Sequence, residues 1–263
     1  MIAENEFLKK GLKGLLRNNK AGEYYLTDLV DYANKRQLKI GATSANQKEI
    51  LGANNKEELT ILYKTLISMN VDQAKKKGTI FKDESTCYVE GALKVGKDVQ
   101  IGNNVSIKGD VRLGNNVCIE SNVVLSNVTI GANSTIKDFC SIEDSSIAKN
   151  VEVGPFARLR NGAVLDDSTK VGNFVEIKQT KMGAGSKANH HAYLGDATVG
   201  KKVNIGAGTI TCNYDGKVKH KTTINDGSFV GTNTSLVAPL KIGKKTYIAA
   251  GSVITSDVPS GAL

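Results

Sequence analysis

Two cations occupy slots where a repeat elsewhere favours glycine. Arg160 follows Leu159, Lys178 follows Ile177, and the two stand 18 residues apart. Stacked on neighbouring turns of a solenoid, they would repel each other and want an anion such as phosphate. Two solvated surface charges are the plainer reading. Glu176, His190 and Tyr193 lie close by in the chain. A histidine near its unperturbed pKa can take a proton from an attacking nucleophile at neutral pH. A lone histidine is more often structural. A histidine, a carboxylate, a phenol and an anion site gathered together shift that reading toward a catalytic role.

Whether these groups gather depends on the elements that carry them. An aliphatic residue returns every six positions from Val95 through Ile101, Ile107, Leu113, Ile119 and Leu125. The beat continues, with slips, through Leu159 and Ile177 to Ile254. That period fits neither a helix nor plain strand alternation; it fits short strands joined by corners. Twelve of 26 aliphatic slots are followed directly by Gly, as corners needing positive φ would select. Asn or Asp fills many of the next positions, as in Gly102-Asn103-Asn104. The other inward slot holds small residues such as Val99, Val105, Cys140 and Ala157, as a narrow prism requires. Steps of five occur at 125→130, 142→147, 177→182 and 194→199, and the short coils start 17, 35 and 17 residues apart. The missing residue therefore falls at one corner each time, and the coil has three sides. The pattern is that of a hexapeptide parallel β-helix. It puts Arg160 and Lys178 in one slot of successive coils, roughly 4.8 Å apart. It also puts Tyr193 over Glu176 and Ala207 over His190. The segment 211–221 interrupts the beat between Ile205 and Ile224. Loops extruded from solenoids often carry function; an oligomerisation arm is the other reading.

The chain of 263 residues has room for one or two domains. Its formal charge of +9 suits phosphate-bearing ligands or nucleic acid, or is simply carried by outward lysines. The interleaving of basic and aromatic residues that binds single strands is absent, so nucleic acid is not expected. No apolar run reaches membrane-spanning length and Met1 opens no signal peptide, so a cytoplasmic location without membrane insertion is expected. Cys87, Cys118, Cys140 and Cys212 show no CxxC spacing and read as free thiols. Residues 1–85 do not repeat. In 55–80, Asn55 reads as a helix cap with Glu58 three residues on, and Leu59, Leu62, Tyr63 and Leu66 follow helical spacing toward Lys75-Lys76-Lys77-Gly78.

More specific motifs follow: Gly154-Pro155-Phe156-Ala157-Arg158-Leu159-Arg160, the run from Val171 to Lys178, Tyr193-Leu194-Gly195-Asp196, and the run from Asn204 to Gly216. In these the chain closely resembles the bacterial bifunctional N-acetylglucosamine-1-phosphate uridyltransferase/glucosamine-1-phosphate N-acetyltransferase family. The resemblance implies a left-handed β-helix over 81–263 with the loop 211–221, a connecting helix over 55–80, and a short α/β remnant of the nucleotidyltransferase domain over 1–54. It implies a homotrimer that transfers acetyl from acetyl-CoA to the amine of glucosamine 1-phosphate. On it His190 is the general base with Glu176 beside it. Arg160 and Lys178 hold the sugar phosphate, with Tyr193, Asn204, Asn213, Tyr214 and Lys219 also on the sugar or phosphate. Ala207, Thr232 and Ala250 line the CoA site. The Ala207 amide, stacked over His190, is a donor for the developing oxyanion. The family's Gly-rich nucleotide loop and metal-binding Asp have no counterpart here. Uridyl transfer, and the Mg2+ that serves it, are therefore expected to be absent, and residues 1–50 are expected to pack poorly. Asn54 matches the family's metal-ligand Asn without its partner. The family's basic C-terminal tail, part of its CoA site, lies beyond Leu263. His191 stands where the family has an aliphatic residue.

Three rivals remain on the sequence. A γ-type carbonic anhydrase shares the three-sided helix but needs three zinc-binding histidines; of the three here, His190 and His191 are adjacent and His220 lies in the loop. A non-catalytic trimeric scaffold would ignore exchange of His190 or Arg160. A related hexapeptide acyltransferase would use another phosphorylated acceptor.

Overall fold

The computed structural model describes residues 2–263, in two units that divide between Ala53 and Asn54. The first carries helices α1 (Asn5–Lys13) and α2 (Asp28–Asn34). Phe7 meets Tyr32 edge to face at 5.8 Å. Of its described apolar side chains only Leu29 and Ala33 are buried, while Leu12, Leu16, Tyr24, Leu26 and Ile50 stay exposed. So short a segment buries too little surface to close a core. No strand forms among its described residues: Leu38–Ile40 finds no partner to pair with, which removes the β part of the expected α/β character.

The second unit opens with α3 (Lys56–Lys76). Asn55 caps it by accepting the Glu58 N–H at 2.8 Å, and the Glu58 carboxylate reaches back to the Asn54 N–H at 2.7 Å. The face that packs is Ile67, Val71 and Ala74, whereas Leu59, Tyr63 and Leu66 remain exposed. Asn70 Nδ2 donates to the Val89 carbonyl at 2.9 Å, and Val71 joins the hydrophobic core.

From Ile80 to Ile254 the chain winds through about 10 turns of a three-faced parallel β-solenoid. The first face stacks Gln100–Ile101, Cys118–Ile119, Thr135–Ile136 and Glu152–Val153 in register. The second stacks Leu125, Ile142, Leu159, Ile177 and Leu194. The third stacks Ile147, Leu165, Met182 and Val199. The hexad aliphatics from Ile101 to Ile248 point inward, beside Val99, Val105, Cys140 and Ala157. The five-residue steps all fall at the corner leaving the second face, where Asn127, Asp144, Gln179 and Asp196 take positive φ.

The glycines directly after the aliphatics serve a different purpose from the one their spacing suggested. Positive φ falls later in the corner, at Asn104, Asn116 and Asn133 for example. Gly102 instead lies against the coil above, where an added Cβ would come 2.7 Å from the Glu120 carbonyl carbon. Close stacking of corners, more than left-handed backbone, selects those glycines. At the corner between first and second faces, four bulky residues adopt positive φ on successive coils: Phe139, Phe156, Phe174 and His191. Their rings form an exposed column with centroid spacings of 4.8, 5.2 and 5.1 Å.

Candidate active site

Two groups of candidate side chains stand at two corners of the coil. At the corner leaving the second face, Arg160 ends strand Arg158–Arg160 and pairs in register with Lys178, which ends strand Lys170–Lys178. The expected stack is therefore present, but its electrostatics differ. Each cation already has a carboxylate: Arg160 Nε lies 2.6 Å from Glu176 Oε1, and Lys178 Nζ lies 3.2 Å from Asp196 Oδ2. Lys178 is 5% exposed and Asp196 8%. Asn213 Nδ2 donates to the same Asp196 oxygen. Gly195 leaves room for this arrangement, since a Cβ there would collide with the Tyr193 hydroxyl and lie 2.8 Å from Asn213 Nδ2.

Lys219 reaches into this group from the loop. It sits against Lys178 and within the field of Arg160, and forms no ion pair among the described residues. The neighbouring Lys178 ammonium holds it below the ordinary lysine range. The neighbouring Lys219, which takes the lower value of the two, and the Asp196 carboxylate hold Lys178 above that range. Three cations facing two carboxylates leave one positive charge over. Asp196 is the member that sequence reasoning missed. Its signal was its position: an acid in the positive-φ corner of a five-residue step, one residue past the slot above Lys178.

The second group lies at the corner leaving the first face. His190, in strand Lys187–Gly195, stacks on Asn173 and is exposed. The register of Ala188 with Ile205 puts Ala207 over it, and Thr232 and Ala250 continue that row. Lower in the row the amides are capped by side chains of the next coil: Asn103 N–H by Ser121 Oγ, and Ser121 N–H by Asp138 Oδ1. The N–H groups of Ala207, Thr232 and Ala250 have no such cap and no backbone partner among the described residues. Asn204 leads into this corner along the first face, stacked between Lys187 and Phe229.

Some expected groupings do not form. Glu176 is not beside His190: it opposes Tyr193, its carboxylate is on Arg160, and His190 opposes Asn173 three residues earlier. Tyr214 is exposed, its hydroxyl donating to Gly216 within the loop at 2.8 Å. Thr211 and Cys212 still belong to the second face, paired with Leu236 and Val237, so the excursion begins at Asn213. Asn54 Nδ2 donates to Glu58 Oε2 at 3.1 Å, and no group of three or more His, Cys, Asp or Glu gathers for a metal among the described residues. One amide oxygen beside a carboxylate committed to a helix cap does not fit Mg2+, which takes octahedral oxygen ligands. A concavity of about 830 Å³ lies elsewhere, among Phe7, Leu29, Leu38 and Ile40 of the first unit. No helix is long and apolar enough to cross a membrane among the described residues.

Comparison with known proteins agrees with this fold. Residues 84–181 match the family described as GMPPB C-terminal domain, and residues 221–256 that described as hexapeptide repeat of succinyl-transferase. The chain is 45% identical over 260 residues, 98% of its length, to "Bifunctional protein GlmU" of Acinetobacter baylyi. It is 42% identical over 265 residues, 100% of its length, to the protein of that name from Methylococcus capsulatus. It spans 57% and 58% of those two relatives. Among solved structures, the UDP-N-acetylglucosamine acyltransferase of Arabidopsis superposes with a TM-score of 0.50 at 16% identity, over 70% of this chain and 68% of that one. That of Francisella novicida gives 0.51 at 19%, over 69% and 64%. These two speak for the fold, the left-handed parallel β-helix with hexapeptide repeats.

Proposed function

The chain is GlmU-like along its whole length, and on that premise we propose that it transfers acetyl from acetyl-CoA to the amine of glucosamine 1-phosphate. The product, N-acetylglucosamine 1-phosphate, feeds UDP-N-acetylglucosamine and cell-wall precursor synthesis. The observation that carries this reading is the register stack of Arg160 and Lys178, each with one carboxylate, and the exposed Lys219 near them as a further cation. A sugar phosphate supplies the missing anion, and Tyr193 and Asn213 border the place where it docks.

In the reaction the acceptor amine attacks the thioester carbonyl carbon. His190 takes a proton from that nitrogen, the C–S bond breaks, and the same proton passes to the departing sulfur, so that CoA leaves as its thiol and His190 is restored. The uncapped Ala207 N–H is a donor for the oxygen that gains charge, and the free amides of Thr232 and Ala250 extend the row along which CoA lies. Cys212 takes no part, because no covalent intermediate is needed.

The two corners also support a shared site. His190 lies five residues before Gly195, the position above Lys178, up to ~16 Å along extended backbone. Glucosamine 1-phosphate carries its amine and phosphate on adjacent ring carbons, so a site shared between copies would let each group meet its own corner. Its phosphate sits on one copy and its amine meets His190 of a neighbour, in a homotrimer. Uridyl transfer is not part of the proposal, because Asn54 does not fit its metal. The test is to supply acetyl-CoA and glucosamine 1-phosphate and follow free CoA thiol, correcting for the protein's own cysteines. Acceptor-dependent release is expected. Release that ignores the acceptor, or none at all, overturns the assignment in favour of another phosphorylated acceptor or a scaffold.

A further inference from the structure

The excursion 213–221 is a small hairpin outside the coil. Tyr214 and Lys219 bridge antiparallel, and the His220 N–H donates to the Asn213 carbonyl at 2.8 Å. One side chain closes this hairpin. Asp215 Oδ1 accepts the N–H groups of Lys217 and Val218, each at 2.8 Å, and Asp215 Oδ2 lies 2.7 Å from His220 Nε2. The two arms of that carboxylate seize the chain on either side of Lys219: the backbone just before it and the ring just after it. The carboxyl is held well below the usual carboxylate range, by the His220 hydrogen bond first and then by the Val218 and Lys217 amides. It is therefore ionised throughout the neutral range. The Tyr214–Lys219 bridge and the His220 N–H bond hold the stem of the hairpin, and Asp215 holds the backbone of its tip. The side chains of Lys217, Val218, Lys219 and Lys221 are exposed, and the Tyr214 hydroxyl is spent on Gly216.

We propose that Asp215 is a positioning residue: through Val218 and His220 it fixes the backbone around Lys219 so that the Lys219 ammonium stays beside Lys178 and Arg160 in the phosphate site. The proposal rests on the reading of that site as the acceptor's anion pocket. It differs from a general stabilising role, because Asp215 acts only through Lys219. The coil beneath the hairpin is paired by its own ladders, Cys212 with Val237 and Thr222 with Leu240, so loss of Asp215 leaves the fold standing.

The experiment measures kcat and both KM values for wild type, Asp215→Ala, His220→Ala, Lys219→Ala and the Asp215→Ala/Lys219→Ala double variant, with Asp215→Glu as the conservative variant. Asp215→Ala is expected to raise the KM for glucosamine 1-phosphate about tenfold. The KM for acetyl-CoA and kcat stay within about twofold. His220→Ala gives a smaller rise, and Asp215→Glu recovers part of the loss. The double variant is no worse than Lys219→Ala alone, the signature of a residue that works through another. An unchanged acceptor KM in Asp215→Ala, or full additivity in the double variant, overturns the proposal. A second readout needs no turnover: acetylation of Lys219 by a small activated ester at pH 8, followed by mass spectrometry with Lys217 and Lys221 as internal references. Lys219 labels faster than its neighbours in wild type, and Asp215→Ala removes that advantage. Equal labelling in the two proteins overturns the strut even if the enzyme turns over. A wild type that fails to release CoA while labelling as expected overturns the acceptor assignment alone.

Discussion

At the corner leaving the second face, the lower and upper coils run the same backbone and hold different chemistry. In the lower coils Asn127 and Asp144 take φ of 53° and 45°, stay exposed, and are joined by one Asn127 Nδ2 to Asp144 Oδ1 hydrogen bond of 3.1 Å. In the upper coils Gln179 and Asp196 take φ of 48° and 51°, yet Asp196 is buried between Lys178 and Asn213. The difference teaches that the repeat fixes the backbone through its inward aliphatics and leaves the outward corner positions free to vary. A solenoid can thus acquire a charged site by substitution alone, without a change of fold.

The comparison can be broken most forcefully at the proposed base. His190→Ala is expected to cut turnover about 10²–10⁴-fold, with circular dichroism unchanged; near-wild-type rates would remove His190 from the role. Next comes the paired exchange of one corner slot in the two regions. Asp196→Ala strands Lys178 in a buried position and costs about 3–5 kcal/mol, whereas Asp144→Ala in the exposed slot costs less than about 1 kcal/mol. Urea melts of the two variants with similar losses would show that the corners do not differ as described. Lys178→Ala, measured by acceptor KM against kcat, should mainly weaken acceptor binding; both constants unchanged would refute the anion site.

A smaller effect tests the aromatic column. Phe156 sits at φ 54°, where glycine relieves strain that alanine retains. Phe156→Gly is therefore expected to be at least as stable as Phe156→Ala, with both losing ring stacking of about 0.5–1.5 kcal/mol per pair. Thermal melts that put the alanine variant clearly higher would contradict this. The smallest effect concerns Cys140 in the lower core, whose thiol burial pushes up from 9.0 to about 11. Because the fold favours the protonated form, its contribution is intact below pH 9.0 and is lost as pH rises toward about 11. Iodoacetamide at pH 8 is expected to spare Cys140 until the protein is unfolded, as read by mass spectrometry.

Much of this was legible in the chain. The six-residue beat announced three faces, and the five-residue steps located one corner. The 18-residue interval between Arg160 and Lys178 correctly stacked them. What the repeat could not give was the partner of each charge. Spacing says which residues share a row, whereas Glu176 turning to Arg160 and Asp196 to Lys178 depend on side-chain direction and burial. For the same reason the glycines were correctly marked as corner residues but for the wrong cause, since close approach of the next coil is a contact between distant residues. The apolar spacing of α3 pointed to Leu59, Tyr63 and Leu66, yet packing chose the stripe that meets the first coil.

That contact has a further consequence. The parallel edge of a first coil, with its row of unpaired amides and carbonyls, is a template for another chain. α3 lies on that coil, with Val71 in the core and Asn70 bonded to the Val89 carbonyl. In the language of polymer chemistry the helix is a chain terminator. Without it, coils could add end to end through the same ladder that holds them together inside one molecule, and a discrete particle would become a fibre.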